Sequence, residues 1–131
     1  MNFTSFETHE LIALTKALGF VKFESQEAGA SAVAGSPLLG QILDQAAQTL
    51  WAKEPKYYAA HQDWPAVTVV PEALAAIRFH LTQVAQWHNV ADHNRIAYIR
   101  DLVFPLKATE QTVQELLRFA NDYHRPAEPV A

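Results

Sequence analysis

The sequence contains no cysteine, and this absence excludes several kinds of site at once. Disulfide frameworks, zinc sites built from thiolates and cysteine nucleophiles all need the missing side chain. No serine follows Ser36 and no G-x-S-x-G motif occurs, so the sequence marks no serine nucleophile. The few glycines also lack the spacing of a phosphate-binding loop.

Positive charge is scarce as well. Lys and Arg number 10 against 14 Asp and Glu, which gives a net charge of −4. Because nucleic acids and anionic membranes attract clustered Lys and Arg, we expect neither as a partner. No run approaches the ~20 apolar residues that span a bilayer. The polar N-terminus lacks the basic and apolar regions of a secretory signal. The expected location is therefore cytoplasmic.

Helical periodicity is what the sequence has in abundance. Its 131 residues fit one domain, which we place at residues 1–125 and follow with a disordered tail at residues 126–131. We predict an all-α (mainly α) single-domain bundle of four to five helices. A minor two-stranded ribbon is also predicted, because residues 21–23 and 67–70 favour extended backbone.

The first predicted helix covers residues 5–18. Thr4 and Glu7 form a capping-box pattern at its start, and Gly19 can adopt the left-handed conformation that ends a helix. The segment at residues 26–36 is small and contains glycine. That composition is typical of a mobile connection.

The second predicted helix covers residues 37–53, and Ser36 followed by Pro37 is a typical helix start. Thr109 can cap the last helix. The apolar stripes of all the predicted helices give the expected core: Leu11, Leu14, Leu18, Leu39, Ile42, Leu43, Leu50, Leu74, Ile77, Leu81, Val84, Ile99, Val103, Val113, Leu116, Leu117 and Ala120.

The longest helical pattern runs through residues 71–104. Its apolar residues keep one phase throughout, which favours a single helix. Asn89, Asp92 and Asn94 are poor helix formers, and Asp92 is a good N-cap for a second helix. Both alternatives, one helix or two, stay open at this point.

The candidate binding residues lie in this stretch: His80, His88, Asp92 and Arg95. On a continuous helix the last three share one apolar face, where they must satisfy one another or meet a partner. His88 and Asp92 have a spacing that can chelate a metal, and His93 is close in sequence. Complete ligand motifs such as H-E-x-x-H are missing, however. We therefore predict no metal, no cofactor and no catalytic residue, and the simpler interpretation is a local hydrogen bond between His88 and Asp92.

Aromatic residues form a second candidate site. Trp51, Tyr57, Tyr58, Trp64 and Trp87 could line a ligand pocket, since Tyr and Trp combine apolar surface with a polar tip. The same residues serve equally well as core beneath a loop.

Two classes of function follow. The first is a non-enzymatic helical protein that acts through self-association, as a homodimer, or through another protein, because a long amphipathic helix would leave apolar surface for a partner. The alternative is a metal- or small-molecule-binding protein that uses the His/Asp cluster of the central helix, with hydrolysis as one chemistry. The sequence does not decide whether the protein is an enzyme, although the missing motifs favour a non-enzyme.

Overall fold

The computed structural model describes residues 2–60 and 63–126, and this part of the chain forms a single domain of six α-helices. The prediction of an all-α fold is confirmed, with slightly more helices than predicted. The helices are α1 (Thr8–Phe23), α2 (Ala28–Ala34), α3 (Pro37–Lys53), α4 (Pro71–Thr82), α5 (Asp92–Val103) and α6 (Glu110–Tyr123), with short 3₁₀ turns at Val67–Val69 and Trp87–Asn89.

α1 begins and ends later than the prediction of residues 5–18. The backbone N–H of Glu7, just before the helix, donates to the Glu10 carboxylate at 2.9 Å. The capping box therefore lies one turn further along than the sequence pattern indicated. The helix also runs through Gly19 to Phe23, which is buried in the core. Burial of this last turn outweighs the weak helix propensity of glycine.

Two other local predictions are wrong. The segment at residues 26–36, predicted to be a mobile connection, contains α2, and the predicted ribbon does not form. Residues 21–23 belong to α1, and residues 67–69 form a 3₁₀ turn. Across the described ranges the structure has no strand beyond an isolated bridge between Ala66 and Lys107. Two short strands are marginal in water, so packing these apolar residues between helices is the better solution.

The central stretch is two helices. α4 ends at Thr82, and α5 begins with Asp92 as its first residue. Between them Gln86 adopts a left-handed conformation with φ 57°, which turns the chain. The turn inserts Trp87 into the core with 1 % of its surface exposed. Burial of this large side chain makes two helices with a break more stable than one continuous helix.

α4 lies at the centre of the bundle and contacts α1, α2, α5 and α6, while α1 packs mainly on α3. At the start of α6 the Thr112 N–H donates to the Thr109 hydroxyl at 3.2 Å, so the predicted cap is confirmed. The predicted tail, apart from Pro126, lies outside the described residues. Ten predicted core residues are buried: Leu11, Leu43, Leu50, Ile77, Leu81, Ile99, Val103, Val113, Leu116 and Ala120. The other seven are partly exposed: Leu14, Leu18, Leu39, Ile42, Leu74, Val84 and Leu117.

Candidate functional site

The structure separates His80 from the other three residues of the predicted binding site. His80 is fully buried in α4, whereas His88 is exposed in the turn that precedes α5. Asp92 and Arg95 lie in the first turn of α5, where Arg95 Nη1 is 3.5 Å from Asp92 Oδ1. Within the described ranges there is no group of three or more His, Asp or Glu that could hold a metal ion.

Arg95 extends into a cluster around Trp87. Its guanidinium lies over the indole ring at 5.4 Å, and its Nη1 donates to Asn121 Oδ1 at 3.0 Å. Trp87 Nε1 donates to the same oxygen at 2.8 Å. The His124 ring stacks on the indole at 5.7 Å. These contacts join the turn to α6, so the part of the predicted site around Arg95 holds the bundle together.

His80 forms hydrogen bonds with α1 and α2. Its Nδ1 is 2.7 Å from the Ser31 hydroxyl oxygen, and its Nε2 is 3.2 Å from the Lys22 carbonyl oxygen. A carbonyl oxygen accepts and cannot donate, so Nε2 carries the proton and Nδ1 accepts from Ser31. Burial lowers the pKa of His80, and the nearby charge of Lys22 lowers it further. The imidazole is therefore neutral at pH 7.

Lys22 is a fully buried cation. Its Nζ donates to the carbonyl oxygens of Ala34 at 2.7 Å and of Asp101 at 2.9 Å. Burial lowers the pKa of Lys22 to about 8, while the charge of Asp101 opposes this shift. Burial also raises the pKa of Asp101. We call Lys22, Ser31, His80 and Asp101 the polar interior cluster, which joins α1, α2, α4 and α5.

A cleft of about 300 Å³ opens over the hydrogen-bonded pair of Ser31 and His80, and Tyr98, Gln83 and Val84 line it as well. We call it the Ser31 cleft. Burial raises the pKa of Tyr98, so its hydroxyl stays protonated and remains a donor at neutral pH. The volume lies at the small end of the range for ligand pockets.

Sequence reasoning missed most of the polar interior cluster. Ser31 lies in a segment whose composition predicts a mobile connection, and Lys22 alternates with apolar residues as in a strand. The partners of Lys22 are backbone carbonyls, which leave no trace in residue identity. His80, on the flank of an apolar helical face, was the one available signal.

A different depression lies between α1 and α3. It has a volume of about 290 Å³, and an aromatic wall formed by Trp51, Tyr58 and Trp64 lines it together with Ile12. The two indole rings are 5.2 Å apart, and Trp64 Nε1 donates to Asp44 Oδ1 at 2.7 Å. The structure thus brings together three of the five aromatic residues predicted to line a pocket.

A second cavity of about 430 Å³ adjoins the first and shares Ile12, Lys16 and Tyr58 with it. Tyr57 lines this second cavity and is 81 % exposed. Glu54, at the same edge, accepts a hydrogen bond from Thr8 at 3.2 Å. We call the two joined cavities the aromatic groove. Trp87, in the Trp87–Asn89 turn, does not line it.

Comparisons of the chain with protein-family models, with curated proteins and with solved structures found no match. No helix of the described ranges has both the length and the hydropathy to cross a membrane. A function is therefore inferred from the side chains and cavities themselves.

Proposed function

We propose that the chain binds a small apolar molecule in the aromatic groove. The observation that carries this proposal is the convergence of Trp51, Tyr58 and Trp64 on an open, mainly apolar cavity of about 290 Å³. Concave apolar surfaces with aromatic walls and a few polar groups are the usual form of a small-molecule site. A ligand bound there would cover aromatic and apolar surface that otherwise meets water.

Contacts within the protein hold the aromatic wall in position. The hydrogen bond from Trp64 to Asp44 fixes one indole, and that indole contacts the ring of Trp51. A preformed wall reduces the conformational entropy that binding would otherwise cost. These contacts support tight fitting of a rigid or aromatic molecule.

Lys16 supports a ligand with an anionic group. Its side chain lies where the two cavities meet, and in the described chain it makes no hydrogen bond or ion pair that would occupy the charge. The nearby Glu54 already accepts from Thr8. An apolar molecule with a carboxylate or sulfonate could place its body against the aromatic wall and its charge beside Lys16.

Binding of the uncharged dye phenylnaphthylamine tests the groove. We expect a saturable rise in dye fluorescence and a dissociation constant at least about tenfold higher for Tyr58→Ala, because a loss of about 1.4 kcal/mol gives that factor. Tyr123→Ala is the matched control, since Tyr123 is exposed on α6 and does not line the groove. No saturable binding, or equal weakening in both variants, would contradict the proposal.

Anilinonaphthalene sulfonate, the charged relative of the same dye, tests the anionic group separately. Lys16→Gln should weaken binding of the sulfonate and leave the uncharged dye unchanged. Lys53→Gln, at the end of α3, should change neither. If Lys16→Gln leaves the affinity for both dyes unchanged, the anionic class is wrong while binding in the groove stands.

Self-association, the function first predicted from the sequence, is a second candidate. Leu38 is 55 % exposed and Phe104 is 42 % exposed, and Phe104 packs beside Gly40, within one helical turn of Leu38. A second copy could cover these two side chains. Contact of His88, Asp92 and Arg95 with a partner, where they would fix the register of a dimer, stays a prediction. Light scattering of the wild type and of Leu38→Glu checks this candidate, and a wild-type monomer at every concentration would refute it.

A further inference from the structure

We propose that Ser31 is a nucleophile that accepts an acyl group from a small uncharged ester, with His80 as the base that takes the Ser31 proton. The Ser31 hydroxyl and His80 Nδ1 are 2.7 Å apart, which is within reach for direct proton transfer. This site is separate from the aromatic groove and does not depend on the function proposed for the groove.

The hydrogen bond between His80 and the Lys22 carbonyl makes the imidazole a base at the correct nitrogen. With its proton held on Nε2 at 3.2 Å from that oxygen, the ring presents the lone pair of Nδ1 to Ser31. The ring is fully buried, so it cannot turn away into water. A nucleophile beside a base that a third group orients is the arrangement used in acyl transfer.

Ser31 borders an open cavity, although the base beside it is shielded. Ser31 keeps 8 % of its surface exposed and borders the Ser31 cleft. Its competing contact, the Glu27 carbonyl oxygen, is more distant at 3.3 Å. The pair therefore lies at the boundary between the core and an open cavity, where a small molecule can meet the serine oxygen.

The lining of the cleft indicates the class of substrate. Among the residues that the structure describes, no charged side chain lines it, and Ala28, Ala32 and Val84 supply apolar surface. This lining favours an uncharged acyl group. Tyr98 and Gln83, whose side chains carry hydrogen-bond donors, belong to the same lining, and Gln83 Nε2 donates one of its two hydrogens to Thr82 Oγ1 at 3.1 Å. Donors of this kind can stabilise the negative charge that develops on the carbonyl oxygen of the ester during attack.

The step balances without a further reactant. Ser31 Oγ forms a bond to the acyl carbon as its proton moves to His80 Nδ1. The bond from the acyl carbon to the alkoxy oxygen then breaks, and the departing alkoxide takes the proton from Nδ1. The products are acylated Ser31, an alcohol and neutral His80.

A fluorophosphonate reagent tests this nucleophile in the wild-type chain. It forms an Oγ–P bond and releases fluoride, and peptide mass spectrometry identifies the labelled residue. Ser25 is the internal control because it is equally buried, at 7 % exposure, and its hydroxyl has no imidazole within hydrogen-bond distance in the described chain. We expect Ser31 to react at least about a hundredfold faster than Ser25, the usual contribution of a general base. Equal rates, or no label on Ser31, would overturn the proposal.

Two variants assign the roles. Ser31→Ala should abolish the fast label, and His80→Gln should lower labelling of Ser31 to the rate of Ser25, with circular dichroism confirming that each variant is folded. A folded His80→Gln that still labels Ser31 at the wild-type rate removes His80 as the base. If His80→Gln does not fold, the comparison of Ser31 with Ser25 in the wild type decides. Release of nitrophenol from nitrophenyl acetate, in an amount equal to the acetylated Ser31, confirms transfer from an ester.

Discussion

Replacing Lys22 with methionine should remove a specific pH dependence of stability. Lys22 is fully buried, and burial lowers its pKa from 10.5 to about 8. A folded-state pKa below the unfolded value means that the charged form is less favoured in the folded protein. At about 1.4 kcal/mol per pH unit, the shift corresponds to roughly 3 kcal/mol that opposes folding while Lys22 is charged in both states.

The sign of the effect follows from proton binding. Between about pH 8 and pH 10.5 the unfolded chain holds the Lys22 proton more often than the folded protein does, so the free energy of unfolding rises with pH. From about pH 7 to about pH 9 this contribution amounts to about 1.4 kcal/mol. Tyr98, whose pKa is raised by burial, acts in the opposite direction at higher pH, and it is present in both proteins.

Urea unfolding of the wild type and of Lys22→Met at several pH values measures this contribution as a difference. At neutral pH the free energies of unfolding of the two proteins should be close, because two effects of methionine oppose each other. Methionine removes the buried charge, which stabilises the fold. It also leaves the carbonyls of Ala34 and Asp101 without their donor, and each unpaired carbonyl costs about 1–3 kcal/mol. As the pH rises, the free energy of unfolding of the wild type should increase relative to that of the variant. A difference that stays constant from about pH 7 to about pH 9 would refute the reasoning, since it would mean that the pKa of Lys22 is unshifted.

Five further substitutions at four positions test core packing, two helical glycines and a helix cap, and urea unfolding at neutral pH measures the free energy of unfolding of each variant. Leu81→Ala should cost about 2–5 kcal/mol, because Leu81 is fully buried and a cavity would remain; a loss well below 1 kcal/mol would contradict its place in the core. Gly40→Ala should destabilise by about 1–3 kcal/mol, since the added Cβ would lie 2.9 Å from the Phe104 ring. Gly19→Ala, whose Cβ meets nothing within 4 Å, should instead stabilise the protein by about 0.5–1 kcal/mol through helix propensity. If both glycine substitutions change the free energy of unfolding in the same direction, the difference in packing between the two positions is contradicted. Thr109→Ala should lower the free energy of unfolding by about 1 kcal/mol through loss of the α6 cap. Thr109→Ser keeps a capping hydroxyl and should therefore retain most of that stability.

The helices that the sequence predicts well are those whose signals are local. α3 has the predicted bounds because Pro37 opens it and an apolar stripe follows, although the Ser36 side chain makes no capping hydrogen bond. α6 has the predicted threonine cap. In contrast, the ends of α1 and the break before α5 depend on burying Phe23 and Trp87. Such burial is a property of the whole bundle, and a local pattern at Gly19 or Asn89 cannot report it.

In the candidate sites too, local sequence signals were predictable, whereas contacts between distant parts of the chain were not. Periodicity predicted that His80 borders an apolar face, and composition predicted that Trp51, Tyr58 and Trp64 are suited to a pocket. The pairing of His80 with Ser31 spans 49 positions of the chain, and no spacing rule connects residues so far apart. His80 and Arg95 were grouped because they are close in sequence, but the break between α4 and α5 gives them different neighbours.

α2 shows why the site and the fold could not be predicted separately. Its seven residues, AGASAVA, are too few to form a helix in isolation, and they bury little apolar surface. Hydrogen bonds from other helices provide specific contacts: Ser31 bonds His80 on α4, and the Ala34 carbonyl accepts from Lys22 on α1. The same bonds that tie α2 to the bundle also place the Ser31 hydroxyl against an imidazole beside a cleft. Because the helix is supported by the site, a sequence interpretation that classed residues 26–36 as a mobile connection had to miss both.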